Sequence, residues 1–82
     1  MKKWYIYIVK CADSSYYTGI TTDVQRRIQE HNSSPKSARY TRSRRPVQLV
    51  WTKEVKDRSE ASKEEYRIKQ LSRKDKEKLI QG

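Results

Sequence analysis

The sequence predicts an α+β fold in which a three-stranded, mainly antiparallel sheet is flanked by three helices, in the order ββαβαα. Residues 4–9 and 16–20 are rich in aromatic and β-branched side chains, and residues 11–15 between them supply turn chemistry, which is typical of a β-hairpin. Behind the hairpin, helical spacing of apolar residues recurs after capping residues. A chain of 82 residues is expected to form one small domain, residues 1–82, with a modest core.

The predicted strands are unusually rich in phenol side chains. Four tyrosines fall on the two hairpin strands, and each buried hydroxyl needs a hydrogen-bond partner. A tyrosine-rich face of the sheet is therefore expected to look onto polar groups. The third strand is predicted over residues 47–52, directly after Pro46.

The first helix is predicted over residues 23–31 and combines apolar and charged side chains on one stripe. Its only aliphatic residues are Val24 and Ile28. The spacing i, i+3, i+4 and i+7 from Val24 also selects Arg27 and His31. Both polar side chains are therefore expected on or beside the buried face of the helix.

Two more helices are predicted, one over residues 57–70 and one that begins at Ser72. A polar residue followed three positions later by an acidic or amide residue is typical of a helix start. This pattern occurs at Thr22, at Asp57 and at Ser72.

The charge balance favours a polyanionic partner. The chain has 20 Lys plus Arg against 10 Asp plus Glu, a formal net charge of +10. Such an excess is most simply explained by binding to nucleic acid, with DNA as the first expectation and RNA as the alternative. The basic residues are not ordered on one amphipathic helix, so we expect no membrane partner. We expect the protein to act as a monomer.

Cysteine content and hydropathy point to the cytoplasm. Cys11 is the single cysteine, so no intramolecular disulfide can form, which fits a reducing compartment. We see neither a signal peptide nor an apolar run long enough to span a bilayer.

A basic loop over residues 33–45 is long for so small a domain and is expected to be functional or mobile. A charge run is often no more than a solvated surface. Here no acidic residue balances it, and an aromatic ring among arginines can stack on a base. We therefore predict phosphate and base contacts from six residues of this loop: Lys36, Arg39, Tyr40, Arg42, Arg44 and Arg45.

Several segments carry a resemblance to a known family. Tyr5-Ile6-Tyr7 and Tyr17-Thr18-Gly19 resemble the two signature tripeptides of the GIY-YIG nucleases, with Tyr5 in place of a glycine and Thr18 in place of an isoleucine. Asp23-Val24-x-x-Arg27-x-x-x-His31 is similar to the catalytic helix of the family, and Glu65-Tyr66 to its metal-binding helix. The small stand-alone bacterial members of the family resemble this chain over nearly its whole length.

The resemblance implies a metal-dependent endonuclease that hydrolyses phosphodiester bonds in DNA. In such an enzyme Tyr7 is the general base, and Tyr17 is a second phenol that orients water or phosphate. Arg27 clamps the phosphate, and His31 bonds to a tyrosine. Glu65 holds one Mg²⁺ or Mn²⁺ ion, which commonly takes a single carboxylate and fills its shell with water and phosphate oxygens.

Plainer interpretations exist for each of these residues taken alone. Arg27 can extend along the surface with its charge in water, and His31 can be an interior histidine with satisfied hydrogen bonds. Glu65 can form a surface ion pair with Lys69, one helical turn away. Alignment of larger family members selects Glu64 as the metal ligand instead.

Two departures leave a second hypothesis open. Many catalytic members have an asparagine in the helix after the metal glutamate, whereas residues 73–78 here read Arg-Lys-Asp-Lys-Glu-Lys. No second domain for target recognition is expected within these residues. The alternative to a structure-selective or non-specific endonuclease is a non-catalytic nucleic-acid-binding module.

Overall fold

A computed structural model describes residues 3–82 of the chain, so the first two residues of the expected domain lie outside it. Three strands and three longer helices follow in the predicted order, and a four-residue helix lies inside the basic loop. The elements are β1 (Trp4–Lys10), β2 (Tyr16–Thr21), α1 (Val24–Ser33), α2 (Arg39–Arg42), β3 (Gln48–Val55), α3 (Arg58–Lys69) and α4 (Arg73–Gln81). Within residues 3–82, none of the helices combines the length and the apolar content needed to cross a membrane.

The sheet is antiparallel with the order β2-β1-β3, so β1 is the central strand. Four successive residues of β1, from 6 to 9, are at most 1% exposed. Because side chains alternate along a strand, this burial shows that both faces of the sheet are covered.

The two faces of the sheet differ in chemistry. Ile6 and Ile8 pack with Ala61 and Ile68 of α3 in an apolar layer that α4 also covers. Tyr7 lies on the opposite face, in a second layer that receives Val9, Val47 and, from α1, Ile28. Alternation along β1 thus directs one phenol into the narrow space between the sheet and α1.

The helix starts follow the capping patterns with one correction. The side chain of Asp23, not that of Thr22, caps α1 by accepting the N–H of Arg26 at 3.1 Å. Thr22 loses this role because the hydroxyl of Thr21 accepts the N–H of Asp23 at 3.1 Å and fixes the turn one residue later. Asp57 and Ser72 cap α3 and α4 as predicted, each through the N–H three residues on.

Arg45 and Asn32 are among the side chains that fold the basic loop onto α1. The guanidinium of Arg45 donates to the carbonyls of His31 and Ser34, both at 2.6 Å. The amide of Asn32 donates to the carbonyl of Val47 at 3.1 Å and accepts its N–H at 2.6 Å. The loop therefore holds a fixed position between the end of α1 and the start of β3.

Candidate active site

The site is built around Tyr7 on the central strand, whose ring lies across Gly19 on β2. The two residues are cross-strand partners. A Cβ atom added at position 19 would lie 2.6 Å from Cζ of Tyr7, closer than two carbon atoms can approach. The glycine is thus required for the close approach of the phenol to the strand backbone.

A buried chain of hydrogen bonds connects Tyr7 to the basic loop. The Tyr7 hydroxyl lies 2.7 Å from Nε2 of His31, and Nδ1 of the same ring lies 2.7 Å from the hydroxyl of Thr41. Tyr7 is 1% exposed, and His31 and Thr41 are fully buried. The expectation that His31 bonds to a tyrosine matches this geometry, and its second partner is a residue that the sequence did not single out.

Aromatic contacts extend the site to Tyr17 and Tyr40. The ring centroid of Tyr17 lies 6.5 Å from that of Tyr7 and 5.4 Å from that of His31. Tyr40 stacks on Tyr17 with the centroids 5.8 Å apart and the planes 25° from parallel. The guanidinium carbon of Arg44 lies 4.0 Å from the Tyr40 centroid. Tyr40 therefore already has two protein partners for its ring, where the sequence suggested a nucleic-acid base.

Arg27 lies at the rim of this cluster with a defined orientation. Its Nη1 donates to Glu30 at 2.9 Å and to the carbonyl of Lys36 at 3.0 Å. Partial burial lowers the pKa of Arg27, but the Glu30 carboxylate and the Tyr7 hydroxyl outweigh it, so the pKa ends above its ordinary value. The arginine is therefore a fixed positive charge beside the phenol.

The electrostatic environment keeps both Tyr7 and His31 neutral. Burial raises the pKa of Tyr7 to about 12; the nearby Arg27 opposes the shift, whereas Tyr17 and Glu65 add to it. Burial lowers the pKa of His31 to about 4, and the charges of Arg27 and Arg45 add to that shift. At neutral pH the pair is a phenol hydrogen-bonded to an uncharged imidazole.

The two adjacent glutamates of α3 have different surroundings. Glu64 pairs with Lys53 of β3 at 3.2 Å and with Arg67 at 3.0 Å. Its pKa is lowered to about 2, mainly by Arg67. Glu65 pairs only with Lys69 among residues 3–82, at 3.3 Å, and its charge reaches Tyr7, where it adds to the effect of burial on the phenol pKa. Of the two carboxylates, Glu65 is the one whose charge acts on Tyr7.

Glu65 is the carboxylate that could hold a single divalent ion. Within residues 3–82, no group of three His, Cys, Asp or Glu side chains could enclose a metal. Glu65 nevertheless offers hard oxygen ligands on a side chain that is 25% exposed. Mg²⁺ retains several waters and commonly uses one carboxylate plus substrate phosphates. The donor set therefore suits a hydrated Mg²⁺-like ion and does not suit a metal that needs a protein cage.

The six basic-loop residues divide into two groups. A shallow depression of about 620 Å³ is lined by Arg39, Tyr40, Arg42, Ser43 and Arg44. Lys36 is also exposed. Arg45 faces inward, where it holds backbone carbonyls of α1 and the loop, and Arg44 is half-buried in an ion pair with Asp13 at 3.0 Å. The exposed charges that remain for a ligand are those of Lys36, Arg39 and Arg42.

Four of the predicted residues thus lie together, Tyr7, Tyr17, Arg27 and His31, and the charge of Glu65 on α3 acts on Tyr7. Sequence reasoning missed the residues that hold them in place. These are Gly19, against whose backbone the Tyr7 ring packs, Glu30, which pairs with Arg27, and Thr41, which bonds to His31. Glu30 could have been found from its i, i+3 spacing to Arg27. The burial of Thr41 could not be found in this way, because a threonine in a basic loop has no periodic pattern to mark it as buried.

Comparison with known proteins identifies the family. Residues 3–79 match the GIY-YIG catalytic domain. A UPF0213 protein of Desulfotalea psychrophila is 64% identical over 79 residues, which are 96% of this chain and 72% of that protein. The UPF0213 protein YhbQ of Escherichia coli is 46% identical over 80 residues, 98% of this chain and 79% of YhbQ.

Two solution NMR structures are similar in fold as well. A UPF0213 protein from Bacillus halodurans has 49% identity and a TM-score of 0.62, with 96% of this chain and 83% of that chain covered. A protein from E. faecalis has 44% identity and a TM-score of 0.67, with 99% and 85% covered. Together with the family match over nearly the whole chain, these likenesses show that the protein belongs to the GIY-YIG family and that its close relatives are the small UPF0213 proteins.

Proposed function

We propose that this protein is a divalent-metal-dependent endonuclease that hydrolyses phosphodiester bonds in DNA. Membership of the GIY-YIG family suggests nuclease-type chemistry and a nucleic-acid partner. The observation that carries the proposal is the Tyr7 hydroxyl, which bonds to His31 at 2.7 Å while the charges of Arg27 and Glu65 both act on it. A core tyrosine needs one partner, whereas this one has an acceptor bonded to it and the charges of a cation and a carboxylate acting on it.

Tyr7 is proposed to remove a proton from the attacking water. Its pKa of about 12 makes it a phenol at rest, so its own proton must leave as the new one arrives. The acceptor is Nε2 of His31, 2.7 Å away. In the concerted step the water proton passes to Tyr7 and the Tyr7 proton to His31, which becomes an imidazolium. The resulting hydroxide attacks phosphorus while the P–O bond to the leaving sugar oxygen breaks; that oxygen takes a proton from bulk water, and the imidazolium returns its proton to solvent.

Arg27 is proposed to hold the scissile phosphate. Arg27 uses Nη1 for its bonds to Glu30 and Lys36 and also interacts with the Tyr7 hydroxyl; the remaining guanidinium donors are proposed to bind phosphate oxygens. The bond to Glu30 fixes the fork before substrate arrives, so little side-chain entropy is lost on binding. A positive charge placed in advance stabilises the negative charge that develops on the phosphate.

Glu65 is proposed to bind the metal. Nucleases of the GIY-YIG family generally use a divalent metal. The bound ion would supply positive charge for the leaving oxygen and the phosphate. Glu64 is unsuited to this role, because Lys53 and Arg67 already compensate its charge on the side of β3.

The proposal is tested by incubating the purified protein with duplex, single-stranded, flapped and branched DNA, with Mg²⁺ or Mn²⁺ and with EDTA. Metal-dependent endonucleolytic cleavage of at least one substrate is expected. Salt-dependent binding of all substrates without cleavage under either metal would overturn it. That outcome would leave the non-catalytic nucleic-acid-binding module, with RNA as the next ligand to examine.

A further inference from the structure

The buried chain from Tyr7 to Thr41 determines where the proton sits on His31. A neutral imidazole carries one N–H, so one ring nitrogen donates and the other accepts. The assignment therefore depends on what each neighbour can do, and both ends of the chain constrain it.

At the strand end, Tyr7 has to donate. Its hydroxyl lies 2.7 Å from Nε2 of His31, and the guanidinium of Arg27, which also acts on this hydroxyl, can only donate. If Nε2 carried the proton, the Tyr7 O–H would have no protein acceptor in a residue that is 1% exposed. A buried unpaired donor is unfavourable, so Nε2 is the acceptor.

At the loop end, Thr41 is able to accept. Its hydroxyl lies 3.0 Å from the carbonyl of Ala38, to which it donates its single proton. The lone pairs of the same oxygen then face Nδ1 of His31 at 2.7 Å. With the proton on Nδ1, every donor has an acceptor: Tyr7 to Nε2, Nδ1 to Thr41, and Thr41 to Ala38.

We propose that Thr41 is a positioning residue that fixes His31 in its Nδ1–H tautomer, so that the free lone pair on Nε2 points at the Tyr7 hydroxyl. The effect of this tautomer on the rate of cleavage rests on the proposed nuclease function. The assignment of the tautomer does not depend on that function. In the other tautomer Nε2 would already be protonated, and the proton that Tyr7 must release during water attack would have no acceptor.

The placement of Thr41 makes it a rigid partner. It lies in the short helix α2, and its N–H bonds to the carbonyl of Ala38 at 3.1 Å. The preceding residue, Tyr40, stacks on Tyr17, and Arg45 ties the end of the loop to α1 at 2.6 Å. The hydroxyl is thus held from both sides of the loop.

The tautomer is measured by ¹⁵N NMR of the imidazole. Since His31 is the single histidine of the chain, its two ring nitrogens need no assignment among residues. At neutral pH we expect a pyrrole-type signal for Nδ1 and a pyridine-type signal for Nε2. Thr41→Ser keeps the acceptor and should give the same pattern. Thr41→Val removes it at nearly constant volume and should move the proton to Nε2 or mix the two forms.

An Nε2–H tautomer in the wild type, or an unchanged Nδ1–H pattern in a folded Thr41→Val variant, would overturn the proposal. If Thr41→Val does not fold, the wild type and Thr41→Ser still decide, because both must show Nδ1–H. For cleavage, Thr41→Val should lower kcat by about 10²-fold or more with KM nearly unchanged, and Thr41→Ser should retain most of kcat. Cleavage with the wrong tautomer would overturn this inference alone; the expected tautomer without any cleavage would overturn the nuclease function alone.

Discussion

Tyr7 and Gly19 face each other across the first two strands, and the phenol ring occupies the space that a side chain at position 19 would need. The second signature tripeptide therefore ends in glycine for a steric reason, independent of any direct role in chemistry.

The first prediction concerns this contact. Gly19→Ala should destabilise the fold by about 1–3 kcal/mol, because the buried Tyr7 ring has to move away from the new methyl group. Urea unfolding measures the loss. The same substitution in a Tyr7→Leu background should cost much less, since the clashing ring atoms are absent. Equal losses in the two backgrounds would show that the strand backbone, and not the ring, requires glycine.

The second prediction concerns pH. The pKa of His31 is about 4 in the fold against 6.5 ordinarily, so the unfolded chain takes up a proton that the folded chain refuses. The contribution of the neutral His31 to the free energy of unfolding is fully present above pH 6.5. It is lost as the pH drops toward 4, which lowers the stability by roughly 3 kcal/mol at most. Urea unfolding at intervals between pH 7 and 4 measures this decline.

His31→Asn is the matched variant for the pH experiment, and it should show little decline in the upper part of that window. Glu64 does not interfere there, because its pKa is lowered from 4.5 to about 2 and its contribution is lost only as the pH falls below about 4.5. A wild-type profile that is flat between pH 6.5 and 5 would contradict the neutral, buried histidine.

The third prediction tests the clamp. Arg27→Ala should reduce cleavage by about 10²–10³-fold, since a charge placed at the phosphate is lost. Its stability should change by less than about 1 kcal/mol, because the pair with Glu30 is partly exposed. Cleavage assays and thermal unfolding measure the two effects.

Arg26→Ala is the control for the clamp. Arg26 lies one residue away, its side chain is 61% exposed, and it also approaches Glu30, at 3.9 Å. The Arg26→Ala variant should cleave DNA at the rate of the wild type. Unfolding of Arg27→Ala alone would assign Arg27 a structural role in place of the proposed one.

The fourth prediction separates binding from turnover at the carboxylate. Glu65→Gln should abolish metal-dependent cleavage while DNA affinity is preserved or raised, because a negative charge near the phosphate is removed and basic residues supply most of the binding. Glu64→Gln should cleave normally. Mn²⁺ titration followed by NMR should broaden signals around Glu65 and Tyr7; broadening centred on Glu64 would move the metal to that residue.

The fifth prediction concerns the basic loop. DNA affinity should fall steeply with salt concentration. The double variant Arg39→Ala, Arg42→Ala should reduce the slope of log affinity against log salt by about two, and it should weaken binding to all DNA sequences alike. Arg45→Ala should instead destabilise the fold by about 1–3 kcal/mol, because the carbonyl of His31 loses the Arg45 donor and that of Ser34 keeps only the N–H of Ser37. An unchanged slope in the double variant would place the DNA on another surface.

The sequence predicted the parts of this molecule that local patterns control. Alternation and turn residues predicted the hairpin, and the helical stripe from Val24 predicted that Arg27 and His31 turn inward. Helical spacing put Glu64 and Glu65 equally near the border of the buried face, so only contacts with Lys53 and Arg67 distinguish them.

The interior of the basic loop could not be predicted for a different reason. Which arginine of a basic run turns inward depends on carbonyls that α1 leaves without partners, and these exist only once the chain has folded. Arg45 meets the carbonyl of His31 in the last turn of α1 and that of the C-cap residue Ser34, whereas Arg39 and Arg42 remain at the surface. The burial of Thr41 depends likewise on His31, ten residues earlier in the chain.

The short helix α2 also limits how this protein can be redesigned. Tyr40 and Thr41 are neighbours in sequence, yet one stacks on Tyr17 and the other bonds to His31, so a one-residue insertion before them would unseat both contacts at once. Arg39 and Arg42 are exposed, and the Arg42 guanidinium donates to the carbonyl of Pro35 at 2.7 Å, a contact within the loop itself. In the proposed nuclease, substrate preference should therefore be altered by exchanging surface charges at constant loop length. Variants with a longer or shorter loop should lose activity instead of gaining a new substrate preference.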